Sequence, residues 1–178
     1  MSIGKRLWGC EVRVVDPEDR PLPPGADNVG EIVLRGHNIM KGYLGRPEAT
    51  AEAMRGGWFH TGDLGHHDED GFFYIVDRKK DLVIRGGFNV YPREIEEVLH
   101  AHPAVLEAAV IGRPDERLGE EVVAYVSLRP GASAEPTEVI AFCKERLAAY
   151  KYPREVIVIE ELPKGPSGKV LKTELRAR

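Results

Sequence analysis

Apolar and polar positions alternate in the first strand-like segment of the chain, Glu11 to Asp16 (EVRVVD). A loop rich in proline, glycine and aspartate separates it from Glu31 to Gly36 (EIVLRG), which predicts a second strand. Gly71 to Arg78 (GFFYIVDR) predicts a third strand, entered through the turn HHDEDG. Between them, Arg46 to Met54 predicts a short helix, since Pro47 suits a first helical turn and Glu48 suits the positive end of the helix dipole. These segments do not make a complete α/β core. They predict part of an antiparallel, β-rich unit.

Beyond Arg78 the pattern changes. DLVIRGG predicts a strand ending in a glycine pair, and YPREIEEVLHAH a helix with Pro92 near its start and an apolar stripe of Ile95, Val98 and Leu99. AVLEAAVIG and EVVAYVSL predict strands around a polar turn. TEVIAFCKERLAAY predicts a second amphipathic helix through Val139, Ile140, Cys143 and Leu147, and PREVIVIE a last strand. Short connections permit antiparallel pairing, so the expectation is an α+β fold: a β-rich subdomain over residues 1–77, then a small α+β domain over 78–178 with helices flanking an antiparallel sheet. The boundary falls at the charged run between Asp77 and Asp81.

The 178 residues suffice for one domain or two small ones, and 42% apolar with 30% charged residues is the balance of an ordinary core-forming protein. A net charge of -4 argues against a nucleic-acid partner held by phosphate attraction. No apolar run reaches membrane-spanning length, so no transmembrane segment is expected, and a cytoplasmic location is. Cys10 and Cys143 make no disulfide framework and read as buried small hydrophobes.

Leu162 to Arg176, LPKGPSGKVLKTELR, invites comparison with a phosphate-cradling loop, but the comparison fails. Gly165 and Gly168 are too close together, and Val170 stands where a hydroxyl is needed. Locally, Lys169 reads as a solvated charge on a flexible tail. HHDED (His66 to Asp70) has metal-ligand residue types, yet consecutive residues in a hairpin turn point apart, and a solvated turn is the simpler reading; no metal site is expected there.

Four ordered segments change the picture: KGYLGRPEAT, GWFHTGDLG, GFFYIVDRKKDLVIRGGFNVYPREIE and LPKGPSGKVLKTELR. In this order and at these separations the chain resembles the C-terminal third of the adenylate-forming (AMP-binding) enzymes, and the third segment is most similar to the acyl-CoA synthetase, or fatty-acid–CoA ligase, branch. The resemblance implies residues 1–77 to be the truncated end of the adenylation core and 78–178 a mobile lid. It implies a ligase joining a carboxylic acid, expected to be a fatty acid, to coenzyme A with ATP and Mg2+. The family's phosphate loop and its magnesium-associated glutamate motif do not occur in this sequence. The expected partner is therefore the missing N-terminal adenylation region, with the isolated chain inactive and open to self-association. A stand-alone nucleotide-binding or assembly module is the alternative.

The resemblance also assigns residues. It implies that Asp63, read locally as a carboxylate on a tight glycine-flanked turn, accepts hydrogen bonds from two ribose hydroxyls. The local alternative is a turn-capping Asp. Arg78 is implied to lie against the ribose, or else to pair with Asp77 or Asp81 as a strand-end charge. Lys80 matches the hinge position. Gly86, Gly87, Phe88 and Asn89 match a loop lining the pantetheine tunnel, where the local reading is a plain turn, and Glu94 is matched without a defined contact. Lys169 matches the catalytic lysine that reaches the α-phosphate and the substrate carboxylate. His60 occupies a motif position without a readable partner, and Trp58 and Phe59 read as core or interface aromatics.

Overall fold

The strand-forming segments of the first half join into one antiparallel sheet. The computed structural model describes residues 2–178 and divides into two compact units, one ending at Lys80 and the other spanning Asp81–Arg178. In the first unit, β1 (Ser2–Lys5), β2 (Cys10–Val15), β3 (Gly30–Gly36), β4 (Phe59–His67) and β5 (Phe72–Arg78) lie in the order β1-β5-β4-β3-β2. Val14, Ile32 and Phe73 form its buried apolar cluster, with Val12, Leu22, Leu34 and Ile75 packed around them. Helix α1 (Pro47–Ala53) starts at its proline with Glu48 in the first turn, as its sequence predicts.

Two features of this sheet depart from the sequence expectation. Strand β1 carries a single large apolar residue and has no periodicity to betray it; pairing with β5 makes it a strand. The segment FHTGDLGHH, expected to hold a tight turn at Asp63, is instead the nine-residue strand β4. Its register against β3 steps from Glu31↔Leu64 to Val33↔His60, so Thr61, Gly62 and Asp63 bulge out of the ladder. Gly62, at φ 71, takes the left-handed conformation that the bulge requires.

The second unit contains β6 (Val83–Arg85), β7 (Phe88–Val90), α2 (Pro92–His100), β8 (Val105–Asp115), β9 (Gly119–Leu128), α3 (Pro136–Lys144), β10 (Glu155–Val158) and α4 (Lys172–Arg176). Strand β9 pairs along its length with β8 and also borders β10 and the end of β6. One sheet face packs Val110, Val122, Ala124 and Val126 against Ile95 and Leu99 of α2 and Val139 and Cys143 of α3. The other buries Ala109, Ile111, Val123 and Tyr125 under Leu162 and Leu175. Burial on both faces is why β8 and β9 read as unbroken apolar runs.

The expected α+β class holds, with one exception to antiparallel pairing: β10 runs parallel to β9. The connection between them contains α3, and a crossover helix that packs on one sheet face returns the chain in the same direction. Helix α4 went unread because five residues are too few to show a period; a single side chain, Leu175, is buried. Cys10 and Cys143 are free and buried, and burial pushes the Cys143 thiol up to about 11, making it an inert core residue. Among the described residues no helix is long and apolar enough to cross a membrane.

Candidate functional site

Asp63 and Arg78 are cross-strand partners of β4 and β5, and Arg78 Nε lies 2.8 Å from Asp63 Oδ1. The β4 bulge determines where the carboxylate stands. Thr61 Oγ1 donates to the Ile32 carbonyl and accepts the Asp63 backbone N–H, closing a small ring over the bulge. Asp63 borders a recess of about 260 Å³ in the first unit, walled by Ile32, Leu34, Phe73 and Ile75. The pair thus presents a carboxylate and a guanidinium, both solvent-accessible, beside an apolar wall.

Behind the bulge lies an acid that sequence reading missed. Glu31 is only 6% exposed. Its Oε1 accepts the Gly62 backbone N–H at 3.1 Å, and Oε2 accepts Lys79 Nζ at 2.9 Å, His60 Nδ1 at 3.1 Å and Arg55 at 3.2 Å. Burial alone would raise its pKa. Hydrogen bonds from Lys79 and His60, the Lys79 charge and the Gly62 N–H outweigh that cost and lower it from 4.5 to about 2. Glu31 is therefore a buried anion that pins the bulge. Nothing in EIVLRG signals this, since its position in a strand flanked by apolar residues looks like any solvent-facing glutamate.

HHDED contributes structure here. His66 stacks on Tyr74 and His67 on Phe73, while Asp68 accepts the Phe72 N–H and the Tyr74 hydroxyl. Among the described residues no group of three or more His, Cys, Asp or Glu side chains is arranged to hold a metal ion. Trp58 is half-buried between guanidinium groups, with Arg13 and Arg35 at 4.3 and 4.6 Å from its ring centre.

Lys79, Lys80 and Asp81 form one turn of 3-10 helix, with Lys80 exposed and Asp81 buried. In the second unit, Gly86 and Gly87 are the two-residue tip of the β6–β7 hairpin. Their φ values of 57 and 83 are those of a turn that needs left-handed residues at both central positions. Gly86, Gly87, Phe88 and Asn89 are all exposed, and Phe88 stacks on Tyr150 at 4.7 Å. Glu94, in the first turn of α2, receives Lys151 Nζ at 2.8 Å on each of its oxygens, a structural partner for a residue that had none assigned.

Lys169 lies on a closed turn and not on a loose tail. Gly168 N–H donates to Gly165 O, with Pro166 at the second turn position, and Gly165 N–H donates to Lys169 O. A bridge between Lys164 and Val170 closes the base of the loop, and Lys164 Nζ reaches Glu107 on β8 at 2.8 Å. The Lys169 side chain is exposed. The structure thus brings Asp63 and Arg78 together within the first unit, and builds the glycine hairpin and the Lys169 turn as two separate exposed projections of the second.

Comparison with known proteins places these features in context. Residues 94–169 match the AMP-binding enzyme C-terminal domain, and residues 1–44 match the AMP-binding enzyme family. The chain is 49% identical over 175 residues to a 2-succinylbenzoate–CoA ligase of Bacillus mycoides (strain KBAB4), covering 98% of this chain and 35% of the ligase. It is 49% identical over 177 residues to a feruloyl-CoA synthase of an Amycolatopsis species, covering 99% of this chain and 36% of that enzyme. The crystal structure of ATP-bound MatB from Rhodopseudomonas palustris superposes with a TM-score of 0.91 at 44% identity, over 99% of this chain and 35% of MatB. The chain spans about a third of the length of the relatives it matches.

Proposed function

Because the chain belongs to the adenylate-forming, AMP-binding enzymes, we propose that it is the C-terminal part of an AMP-forming acyl-CoA synthetase, holding one side of the nucleotide site and the groups that exchange there. The substrate class is a carboxylic acid. A fatty acid is one member of it, and the matched ligases, named for 2-succinylbenzoate and ferulate, widen it to aryl acids.

In the first half-reaction the acid's carboxylate attacks the α-phosphorus of ATP, and diphosphate leaves. Both reactants are anionic, so repulsion opposes their approach. Lys169 brings a cation to the phosphorus as negative charge develops, which lowers that barrier. Asp63 accepts hydrogen bonds from the ribose hydroxyls, and Arg78 holds that carboxylate in place while offering donors of its own. In the second half-reaction the thiol sulfur of coenzyme A attacks the acyl carbonyl, and AMP leaves as the thioester forms. Rotation about Lys80 withdraws Lys169 and brings up Gly86 to Asn89, so both steps use one site. The anchored Lys169 turn favours rigid-body movement over melting of the loop. Magnesium chemistry belongs to the N-terminal region in this reading, and no step above passes through it.

The cross-strand meeting of Asp63 and Arg78 supports this reading most strongly, because it joins two separately matched nucleotide residues at one point. The test is diphosphate release with the chain alone and with the chain joined to the N-terminal adenylation region. Turnover only in the joined protein is the expected result. Robust turnover by the 178 residues alone would refute the division of labour. A stand-alone nucleotide-binding module would instead bind AMP in calorimetry, lose binding on Asp63→Ala, and gain no activity when joined.

A further inference from the structure

We infer that two ion pairs, Lys79–Glu31 and Asp81–Arg176, confine backbone rotation to Lys80 by fixing the residue on each side of it to its own unit. The inference rests on the proposed hinge role of Lys80 and adds the positioning residues that make the hinge sharp.

On the N-terminal side, Asp77 is buried and its Oδ1 accepts the Arg78 N–H at 2.7 Å. Lys79 Nζ reaches Glu31 Oε2 at 2.9 Å. Glu31 is no ordinary surface partner: it is buried in β3 and held by Gly62, His60 and Arg55 besides Lys79. Lys79 is thus tied to the sheet that carries Asp63.

On the C-terminal side, Asp81 is 8% exposed and its Oδ1 accepts a hydrogen bond from Arg176 Nη2 at 2.9 Å. Arg176 ends α4, whose Leu175 is buried with Ala109, Ile111, Val123 and Tyr125. Two residues past Asp81, Val83 enters β6 and is 1% exposed. Asp81 is thus tied to the same unit that carries Lys169.

Lys80, exposed, stands between these two anchored neighbours. A pivot must swap two projections with sub-ångström reproducibility, and that requires the rotation to be taken by few dihedrals. A linker loose from residue 77 to 83 would spread the same rotation over many, and blur both end points. The two pairs use different acids, different bases and different units.

Backbone 15N relaxation of the 178-residue chain tests this. In the wild type, order parameters near ~0.85 are expected at residues 79 and 81, with a lower value at residue 80. In Lys79→Met, mobility should spread to residue 79, below ~0.6, and leave residue 81 unchanged; Arg176→Met should do the reverse, and Arg176→Lys should restore residue 81. Rigid residues 79 and 81 in both Met variants would overturn the inference. So would loosening that crosses Lys80 or runs through a whole unit, which is what a merely stabilising role produces. The hinge itself is tested apart from the anchors: Lys80→Pro in the joined ligase should abolish thioester formation and spare diphosphate release. Retention of both steps would remove the hinge, whereas flat relaxation with an inactive Lys80→Pro would remove only the anchors.

Discussion

Arg78 and Asp63 face one another across adjacent strands and meet at 2.8 Å, so a ligand that contacts one is within reach of the other. The side chains are 53% and 28% exposed, and an ion pair in that much water contributes at most about 1 kcal/mol to folding. In the proposed ligase its value is in orientation. Asp63→Ala in the joined ligase should raise KM for ATP roughly ten- to a hundred-fold, matching the loss of charge-assisted hydrogen bonds worth about 1.5–3 kcal/mol. Chemical unfolding of the same variant should stay within about 1 kcal/mol of wild type. A large stability loss with unchanged KM would make the pair structural.

Glu31 predicts the opposite balance. Its pKa is lowered from 4.5 to about 2 in the folded chain, so its stabilisation is complete above about 4.5 and is lost as pH falls from there through about 2. The full difference is on the order of 3 kcal/mol, and about 2 kcal/mol of it should be gone at pH 3. Glu31→Gln should therefore be clearly less stable than wild type at pH 7 in urea unfolding, with the gap closing as pH falls toward 2. A gap that stays constant across that range would show that the carboxylate charge is not what the cluster holds.

A substitution at the hairpin tip tests whether the two half-reactions of the proposed ligase can be separated. Gly87 has φ 83 and open space where a Cβ would be placed, so Gly87→Ala strains the backbone without a clash. Stability should fall by about 1 kcal/mol. If the tip serves the thioester step, coenzyme A–dependent turnover should drop while acid-dependent diphosphate release keeps its wild-type rate. Equal losses in both assays would assign the glycine pair to folding alone.

The strongly patterned elements were legible in the chain. Ile95 and Leu99 mark the buried face of α2, and the apolar runs of β8 and β9 announce strands that are covered on both sides. What escaped depends on partners distant in sequence. Strand β1 exists because β5 offers it an edge, and β10 runs parallel because α3 intervenes. Asp63 looked like a turn residue because a glycine before an aspartate usually marks one, and only the two-residue slip against β3 turns that signal into a bulge. The candidate residues were named by resemblance alone, since locally Asp63, Arg78 and Lys169 each had a plainer reading. Glu31 had neither resemblance nor pattern to mark it, because an acid becomes a hub only when Arg55, His60, Gly62 and Lys79 converge on it.

The most direct measurement concerns Lys169, exposed at the end of an anchored turn where truncation leaves packing intact. In the ligase formed with the N-terminal region, Lys169→Ala should slow acid-dependent diphosphate release by about 10²-fold or more. Thioester formation from a supplied acyl-adenylate should continue near the wild-type rate. Wild-type diphosphate release by the Lys169→Ala enzyme would contradict the account.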